Sequence, residues 1–460
     1  MYFFERNEQF KNNIACICDD GCEYTYQQLW DMGDELLEED EANAKAGRHL
    51  VLLQVSNDIE SLAAYLANLR AGNPVILMSK DADQSLVDGM KENYGLTGES
   101  ANSEAPGADK LNPDLALLLS TSGSTGAQKL VRLSYENLQS NCDSIVEYLG
   151  LTSEERPITT LPMEYTYGLS VLHSHLAVGA TIILTNKTLF NGEFWEMAEK
   201  YGATSMAGVP YTYAMYDRLK LTQMDLPDLK TMTQAGGHLK PELQEKFAGW
   251  AAETDRKFFV MYGQTEATAR MSYVPPERCL DKPGSIGIPV PGGRMEIVDD
   301  EIIYYGPNVS MGYATCTEDL AKEDENRGRL ATGDMGYMDE EGYFYITGRK
   351  KRFIKLQGKR ISLDQIQDVL TEELPDAKAG ALDLAVTGED DREIAVWIAG
   401  RKADNTAGRK ADSTGELAEA IQKIFEEKWA IRGRMVSVKE IDRIPRNTSG
   451  KIIYKELRNK

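Results

Sequence analysis

The chain has 460 residues, of which 42% are hydrophobic and 27% charged, an ordinary globular composition in a chain too long for one compact core. It contains no apolar run of the roughly 20 residues that a membrane helix needs, and its N-terminal stretch becomes charged at once, unlike a secretory signal. We therefore expect two or three domains, no membrane span and a cytoplasmic location. The six cysteines have neither the density of a disulfide framework nor the paired spacing of a zinc site.

The net charge of −22 is unevenly distributed along the chain. From Arg349 onward there are 24 Lys and Arg against 19 Asp and Glu, whereas the preceding part has 27 against 54. The acidic larger part argues against nucleic-acid binding. A basic last quarter suits either a polyphosphate ligand or attraction to the acidic part, and the charge count does not separate the two.

Strand and helix patterns alternate through the first hundred residues. Two short strands within 14–25, joined by an Asp-Asp-Gly turn, predict a hairpin. The apolar run at 49–56 then predicts a buried strand, the amphipathic segment 59–72 a helix, and 74–79 the next strand. This order of strand, helix and strand predicts a parallel α/β layer.

The segment 115–150 predicts a strand, a turn, a second strand and a helix. Ser134 is typical of a helix N-cap, and Gly150 of a helix end. Four later stretches, at 180–185, 205–210, 231–237 and 258–263, each predict a strand that ends in small residues. Because ligands in open parallel sheets bind at the carboxyl ends of strands, these loops predict one shared crevice.

The pattern changes after residue 285. Short strands with hairpin turns predict a β-rich region up to 347, and a charged stretch at 348–352 then precedes a compact α+β segment. We therefore predict an α/β protein with parallel-sheet layers and a β-rich subdomain in a large domain over 1–348. A small α+β domain over 353–460 follows it.

A glycine- and hydroxyl-rich turn follows the strand at 115–120, and Lys129 comes three residues after it. Glycines free the backbone to point N–H groups inward, hydroxyls add donors, and the lysine adds charge, so the turn can bind a polyphosphate. The spacing is not that of a Walker loop. The turn consists of Ser120, Thr121, Ser122, Gly123, Ser124, Thr125 and Gly126.

From this turn onward the sequence resembles the adenylate-forming superfamily, which includes acyl-CoA synthetases, luciferases and the adenylation domains of peptide synthetases. The resemblance covers nearly the whole chain. It rests, in chain order, on the serine-rich turn, Gly236-Gly237, YGQTE at 262–266, GSIGIP at 284–289, TGD at 332–334, Gly348-Arg349, Lys355 with Gly358, and PRNTSGK at 445–451.

The resemblance implies an ATP site with magnesium. The serine-rich turn and Lys129 would clamp the β- and γ-phosphates, Thr265 would contact the α-phosphate, and Glu266 would bind Mg²⁺ as a hard oxygen ligand. The remaining motif residues would surround the adenosine: Gly236 and Gly237 beside the adenine, Tyr262 and Gly263 at its face, Asp334 at both ribose hydroxyls, and Arg349 at the ribose or phosphate.

The resemblance also implies two half-reactions and a small mobile C-terminal domain. Lys451 would place a cation between the attacking carboxylate and the α-phosphate, two anions that otherwise repel each other. The hinge would lie at 349–352, with Lys351 at its usual position. After rotation, Gly358, Lys359 and Arg360 would face the channel of the thiol acceptor.

The acyl pocket departs from the family pattern. Tyr165 occupies the position where the family often has histidine, and Glu164 replaces the preceding aromatic residue. A separate departure lies in the phosphate loop, where Gln128 replaces the proline that usually precedes the lysine. Gly168 aligns with the aspartate that pairs with the ammonium group in amino-acid-activating members, so an α-amino acid is disfavoured. The side chains expected to line the pocket suggest an apolar or aromatic acyl group: Tyr165, Tyr167, Val209 and Tyr211, with Gly168 and Gly236 beside them.

The sequence thus predicts an ATP-dependent ligase that activates a small carboxylic acid as its acyl-adenylate and passes the acyl group to a thiol. Coenzyme A is the leading acceptor. Two alternatives stay open: the phosphopantetheine thiol of an acyl carrier protein, and a nucleotide-binding homologue without catalysis. The acid, the acceptor and the oligomeric state are not determined by the sequence.

Overall fold

The computed structural model describes residues 1–39, 47–96, 106–120, 129–356, 359–390, 392–400, 413–429, 431, 435–446 and 452–458. The chain forms two compact units. One comprises Met1–Glu296, Ile303–Thr332 and Met338–Tyr345, and the other comprises Ile297–Ile302, Gly333–Tyr337 and Ile346–Lys460.

The first unit contains most of the helices and strands. Its helices are α1 (Tyr26–Glu39), α2 (Ile59–Arg70), α3 (Gln84–Asn93), α4 (Tyr135–Leu149), α5 (Thr166–Ala177), α6 (Gly192–Lys200), α7 (Pro210–Arg218) and α8 (Pro241–Glu253). Its strands begin with β1 (Ile14–Ile17), β2 (Glu23–Thr25), β3 (Val51–Val55), β4 (Val75–Ser79), β5 (Leu115–Ser120), β6 (Leu130–Ser134), β7 (Pro157–Ile158) and β8 (Ile182–Ile183). They continue with β9 (Ser205–Gly208), β10 (Thr231–Gln234), β11 (Lys257–Tyr262), β12 (Ser272–Val274) and β13 (Ser285–Pro289).

Five strands of this unit form one sheet in the order β16-β6-β5-β4-β3, in which β16 is Gly312–Ala314. Strands β3, β4 and β5 run parallel, as the strand–helix–strand pattern predicts, whereas β6 returns antiparallel to β5. The hairpin of β5 and β6 therefore places Ser120 and Leu130 side by side. The loop predicted to bind phosphate joins these two positions, and its residues 121–128 lie outside the described residues.

Helix α4 begins and ends where the sequence predicts. The Ser134 side chain accepts from the backbone N–H of Asn137, and the Asn137 side-chain oxygen accepts from the backbone N–H of Ser134, so both N–H groups are satisfied. The helix ends at Gly150, whose φ of +67° only glycine adopts without strain.

A second sheet carries the ligand-binding loops predicted from the sequence. Nine neighbouring strands follow the order β13-β12-β11-β10-β9-β7-β8-β1-β2, and those from β11 to β1 run parallel. One face is packed by aromatic rings in edge-to-face contact, among them Phe194, Tyr213, Tyr216, Phe247 and Phe258. The predicted hairpin at 14–25 is confirmed as β1 and β2, with Gly21 at a φ of +82° in its turn.

Four further strands contain the boundaries between the two units: β14 (Arg294–Val298), β15 (Glu301–Tyr305), β17 (Arg329–Met338) and β18 (Phe344–Arg349). The turn between β14 and β15 is one of the hairpin turns predicted in this region. It consists of Asp299 and Asp300, and both residues have positive φ, +51° and +63°. Two successive positive φ values are typical of the hairpin turn whose twist matches that of its strands.

The second unit continues with an α+β segment, as the sequence predicts. Its helices are α9 (Leu363–Glu373), α10 (Pro375–Lys378), α11 (Ser413–Trp429) and α12 (Tyr454–Arg458), and its strands are β19 (Phe353–Leu356), β20 (Lys359–Ser362), β21 (Leu382–Gly388), β22 (Ile394–Gly400) and β23 (Val436–Glu440). The order β21-β22-β23 forms one sheet. Residues of α9, α11 and this sheet, such as Leu370, Phe425 and Val396, form a core of their own.

No described helix combines the length and the apolar character needed to cross a membrane. The described part of the chain also contains no group of three or more His, Cys, Asp or Glu that could bind a metal ion.

Candidate active site

A tight loop follows β11 and carries the YGQTE residues. Thr268 and Ala269 have φ of +55° and +103°, so the chain turns back sharply before β12. The turn requires glycine at 263, because a Cβ there would lie 1.5 Å from the carbonyl oxygen of Ala269. The loop thus presents Thr265 and Glu266 at the carboxyl end of the parallel strand β11.

Glu266, Tyr313 and Lys129 lie together in this part of the first unit. Tyr313 is on β16, and its hydroxyl donates to Glu266 Oε1 over 2.8 Å. Lys129 Nζ lies 3.2 Å from the centroid of the same ring, a cation–π contact. Burial, with the Glu266 carboxylate second, raises the pKa of Tyr313 well above its ordinary value, so the phenol stays protonated and remains a donor.

The other YGQTE side chains are also positioned by neighbours. Thr265 Oγ1 lies 3.0 Å from Thr166 Oγ1 at the start of α5. Gln264 Nε2 donates to the hydroxyl of Tyr262 and to the carbonyl oxygen of Thr332, at 3.1 and 3.0 Å. Tyr262 itself is buried at the end of β11.

A second cluster forms around Gly236, where β10 ends. Gly236 has a φ of +82°, and a Cβ there would lie 2.7 Å from the Tyr165 hydroxyl and 3.0 Å from Val209 Cγ1. Three of the residues predicted for the acyl pocket therefore meet at one point. At Gly237 a Cβ would lie 3.1 Å from Pro210 Cγ, so both glycines keep backbone bare at the sheet edge.

The structure gives the other predicted pocket residues different surroundings. Gly168 is a packing glycine in α5, because a Cβ would come within 2.3 Å of the Pro162 carbonyl oxygen. Tyr167 is buried, and its hydroxyl lies within hydrogen-bond distance of the Thr233 oxygens. Tyr211 is 59% exposed at the start of α7.

Two predicted nucleotide-binding residues lie in the second unit. Asp334 is almost fully buried, and its Oδ1 forms an ion pair with Arg349 Nε at 2.8 Å. Beside them, the backbone N–H of Gly333 donates to Glu301, whose other carboxylate oxygen pairs with Lys350. The two residues predicted at the ribose therefore lie in direct contact.

Several predicted residues lie at or beyond the limits of the described structure. Ser120 ends β5, and Lys351 lies in the single helical turn Lys350–Arg352. Lys359 and Arg360 begin β20, where only the backbone is described. Outside the described residues lie Thr121, Ser122, Gly123, Ser124, Thr125, Gly126, Gly358 and Lys451.

The described residues fit the groups that the sequence implies. Glu266 supplies the carboxylate oxygen that Mg²⁺ prefers, and Lys129 supplies a cation suited to phosphate. Gly236 and Gly237 lie at positions where a side chain would fill the space at the sheet edge. The sequence analysis missed Tyr313, although it contacts both Lys129 and Glu266. Its only sequence signal is a tyrosine after glycine in GYAT.

Two histidines of α5, His173 and His175, are buried. His173 packs against Phe3 with ring centroids 4.0 Å apart, and its Nε2 lies 2.9 Å from the Tyr65 hydroxyl. Burial lowers the pKa of His173 to about 3 and that of His175 to about 4, so both rings are neutral at ordinary pH.

Comparisons with known proteins agree with this geometry. The chain is 31% identical over 365 residues to oxalate–CoA ligase of Arabidopsis thaliana, a match that covers 75% of this chain and 65% of that protein. It is 28% identical over 387 residues to 2-succinylbenzoate–CoA ligase of Bacillus cereus, covering 81% and 73%. The chain thus spans about two thirds to three quarters of the length of these relatives.

Solved structures show the same fold. The o-succinylbenzoate CoA synthetase of Bacillus subtilis, solved with the acyl-adenylate intermediate OSB-AMP, matches with a TM-score of 0.77 at 22% identity, over 97% of this chain and 95% of that one. The same enzyme solved with ATP and magnesium ion matches with a TM-score of 0.76 at 21% identity, over 97% of each chain. The chain thus has the fold of these adenylate-forming structures. A family model described as AMP-binding enzyme matches residues 77–314, and this chain belongs to that family.

Proposed function

We propose that the protein is an ATP-dependent acid–thiol ligase. In the first half-reaction, a carboxylate oxygen attacks the α-phosphorus of ATP, the bond to the bridging oxygen of pyrophosphate breaks, and acyl-AMP forms. In the second, a thiol sulfur attacks the acyl carbon, loses its proton and displaces AMP. The observation that carries the proposal is the contact of Tyr313 with both Lys129 and Glu266, beside Thr265.

The first unit holds the triphosphate in this proposal. Lys129 and the loop that begins at Ser120 bind the β- and γ-phosphates, and Thr265 hydrogen-bonds the α-phosphate. Glu266 holds Mg²⁺, which when bound neutralises phosphate charge. Tyr313 keeps the Glu266 carboxylate in one orientation, so it does not need to reorganise when the nucleotide arrives.

Asp334 and Arg349 bind the ribose, and Lys451 supplies the cation of the first half-reaction. A carboxylate suits two neighbouring hydroxyls because it accepts two hydrogen bonds. Lys451 stabilises the charge that spreads over the attacking oxygen and the α-phosphate in the transition state, without transferring a proton.

The acid binds in the cluster of Tyr165, Val209 and Gly236. Gly168 offers no carboxylate to an ammonium group, and its contact with the Pro162 carbonyl leaves no room for one. An α-amino acid is therefore disfavoured. The curated relatives include ligases named for oxalate, 2-succinylbenzoate and a long-chain fatty acid, so their names do not select one acid for this chain.

Coenzyme A is the proposed acceptor, and an acyl carrier protein is the second candidate. From Arg349 onward the chain is basic, with 24 Lys and Arg against 19 Asp and Glu. This charge suits the phosphates of coenzyme A and an acidic carrier surface alike. The hinge lies at 349–352, around Lys351. Gly358, Lys359 and Arg360 line the acceptor channel. The protein acts in the cytoplasm.

Acid-dependent exchange of pyrophosphate into ATP tests the first half-reaction. We expect exchange with at least one acid of a panel of short, long and aromatic acids, and a fall of about 100-fold or more in Lys451→Ala. Lys455→Ala, which removes a lysine four residues further on, is the matched control and should keep the wild-type rate. Exchange at the wild-type rate in Lys451→Ala would contradict the assignment, and no exchange with any acid favours a non-catalytic nucleotide-binding protein.

Thioester formation tests the second half-reaction. The acid that supports exchange is incubated with ATP and either coenzyme A or a pantetheinylated carrier protein, and the product is identified by its mass. We expect the coenzyme A thioester. If the thioester forms only with the carrier protein, the carrier and not coenzyme A is the acceptor, and the proposed adenylation step is unaffected.

A further inference from the structure

Arg270 is a buried cation whose protein partners are all neutral. It is 2% exposed, in the chain between the YGQTE loop and β12. Its Nε donates to Ser170 Oγ at 3.2 Å and its Nη1 to the Tyr148 hydroxyl at 3.0 Å. The guanidinium also lies 5.1 Å from the centroid of the Tyr167 ring. Its neighbours thus supply hydrogen bonds but no negative charge.

Other buried arginines of the described chain are paired with an acid. Arg132 forms an ion pair with Glu325, and Arg352 with Asp364. No carboxylate of the described residues forms an ion pair with Arg270 or accepts a hydrogen bond from its Nη2. A buried charge is costly unless it is paired, so the structure lacks the anion that this position requires.

A cavity of about 20 Å³ lies beside Arg270, bounded also by His175, Thr233 and Ala207. Its volume exceeds the 10–15 Å³ or so that one water molecule needs. His175 Nδ1 lies 2.8 Å from the carbonyl oxygen of Val171, so this nitrogen carries the proton. The other nitrogen, Nε2, is buried and has no hydrogen-bond partner in the structure. The polar lining of the cavity is therefore not satisfied by the protein alone.

The cavity lies along the strands β9 and β10, from their first residues Ser205 and Thr231 to Ala207 and Thr233. Ala207 and Thr233 are paired neighbours on the parallel strands β9 and β10. Two residues further along, just past the ends of these strands, come Val209 and Ala235. Ala207, Val209 and Ala235 belong to one buried cluster, and the partly buried Tyr165 packs against it. Two residues of a strand span about 7 Å. An acyl chain that enters beside Gly236 therefore needs only a short extension to reach Arg270.

We infer that the acid is a dicarboxylic acid whose second carboxylate pairs with Arg270. This inference rests on the proposed function and narrows its substrate class. A carboxylate with a guanidinium forms the charge-assisted pair that the position lacks. A monocarboxylic acid of the same length would leave the cation unpaired and bury its own apolar end against it, so the site rejects such an acid.

Matched pairs of acids test the inference directly. Pyrophosphate exchange is measured with linear and aromatic dicarboxylic acids of increasing length, and with the monomethyl ester of each, which keeps the shape but removes one charge. We expect at least one diacid to exceed its half-ester by about 30-fold or more in kcat/KM, as for a buried charge pair.

Three variants link this preference to Arg270. Arg270→Met removes the charge and should abolish the preference for the diacid over its half-ester. We expect kcat/KM to fall for the diacid and to change by less than about threefold for the half-ester. Arg270→Lys keeps the charge and should restore part of the preference. Tyr148→Phe removes a neutral partner of Arg270 and should keep the preference. Thermal unfolding of each variant checks that it folds. If Arg270→Met does not fold, the comparison of each diacid with its half-ester in the wild-type protein still tests the inference.

The outcomes separate this inference from the proposed function. The inference is overturned if monocarboxylic acids or half-esters support exchange as efficiently as diacids. It is also overturned if Arg270→Met lowers kcat/KM equally for all acids. Either result leaves the ligase function standing. No exchange with any acid overturns both.

Discussion

The phenol of Tyr313 donates a hydrogen bond to the carboxylate of Glu266 over 2.8 Å, from a strand in the other sheet of the same unit. Tyr313 is paired in β16 with Val131 of β6, and Lys129 comes two residues before Val131. One tyrosine therefore links the proposed magnesium ligand to the proposed phosphate lysine. It acts through Glu266 and Lys129, so we regard it as a positioning residue.

Tyr313→Phe should weaken magnesium dependence while preserving the contact with Lys129. The variant loses the hydrogen bond to Glu266 but keeps the ring under Lys129 Nζ. We expect the magnesium concentration for half-maximal pyrophosphate exchange to rise by about 10- to 100-fold, the usual effect of removing a partner of a metal ligand. Tyr313→Leu removes both contacts and should also raise KM for ATP.

Tyr305→Phe is the matched control, because it also removes a hydroxyl that donates a hydrogen bond to a carboxylate, in this case Glu296. Both residues are distant in sequence from the YGQTE loop. It should leave the magnesium titration unchanged. A titration of Tyr313→Phe that overlays the wild type would show that Glu266 does not depend on this hydrogen bond.

The stability of the first unit should decrease between pH 7 and pH 5. Unfolded histidine protonates at its ordinary pKa of 6.5, whereas burial lowers the pKa of His173 to about 3 in the folded chain. The unfolded state therefore binds more protons across this interval, and the free energy of unfolding falls as the pH falls. For a shift of this size the loss from His173 alone is about 2 kcal/mol at pH 5.

His173→Gln removes the titrating ring and keeps an acceptor for the Tyr65 hydroxyl. Urea unfolding followed by fluorescence should show that its loss of stability between pH 7 and pH 5 is about 2 kcal/mol smaller than that of the wild type. His238→Gln, at an exposed histidine, serves as the control. Equal pH dependence in wild type and His173→Gln would mean that the buried ring does not stay neutral.

The elements that the sequence predicts best are determined by neighbouring residues. Helix α4 has its cap, its apolar face and its stop within sixteen residues or so, and the Asp299-Asp300 turn needs only its own backbone preferences. The motif residues that follow β10 and β11 come to the same edge of the sheet, because these neighbouring strands run parallel.

The residues that the sequence analysis missed act across long chain separations. Tyr313 contacts Lys129 and Glu266 through a pairing of β16 with β6, and Arg270 becomes significant only because α4 and α5 bury it without an acid. Gly168 shows the opposite case, since a position predicted for the acyl pocket is required by close packing against the Pro162 carbonyl. Contacts of this kind depend on the assembled sheets, which a local pattern does not contain.

Gly236→Ala should impair binding of the acid far more than it destabilises the fold. The new methyl group would lie 2.7 Å from the Tyr165 hydroxyl and 3.0 Å from Val209 Cγ1, so it takes the space proposed for the acyl group. The φ of +82° adds backbone strain of about 1–2 kcal/mol. We expect KM for the acid in pyrophosphate exchange to rise by about tenfold or more, with a smaller change in KM for ATP.

Two further variants separate strain from steric conflict. Gly342→Ala imposes the same strain at a φ of +85°, but a Cβ there meets nothing within 4 Å, so this control should lose stability and keep its KM values. Adding Tyr165→Phe to Gly236→Ala removes the hydroxyl that the methyl group meets first and should recover part of the acid binding. A double variant no better than Gly236→Ala alone would show that Tyr165 does not limit the space beside Gly236, because two residues in contact give non-additive effects.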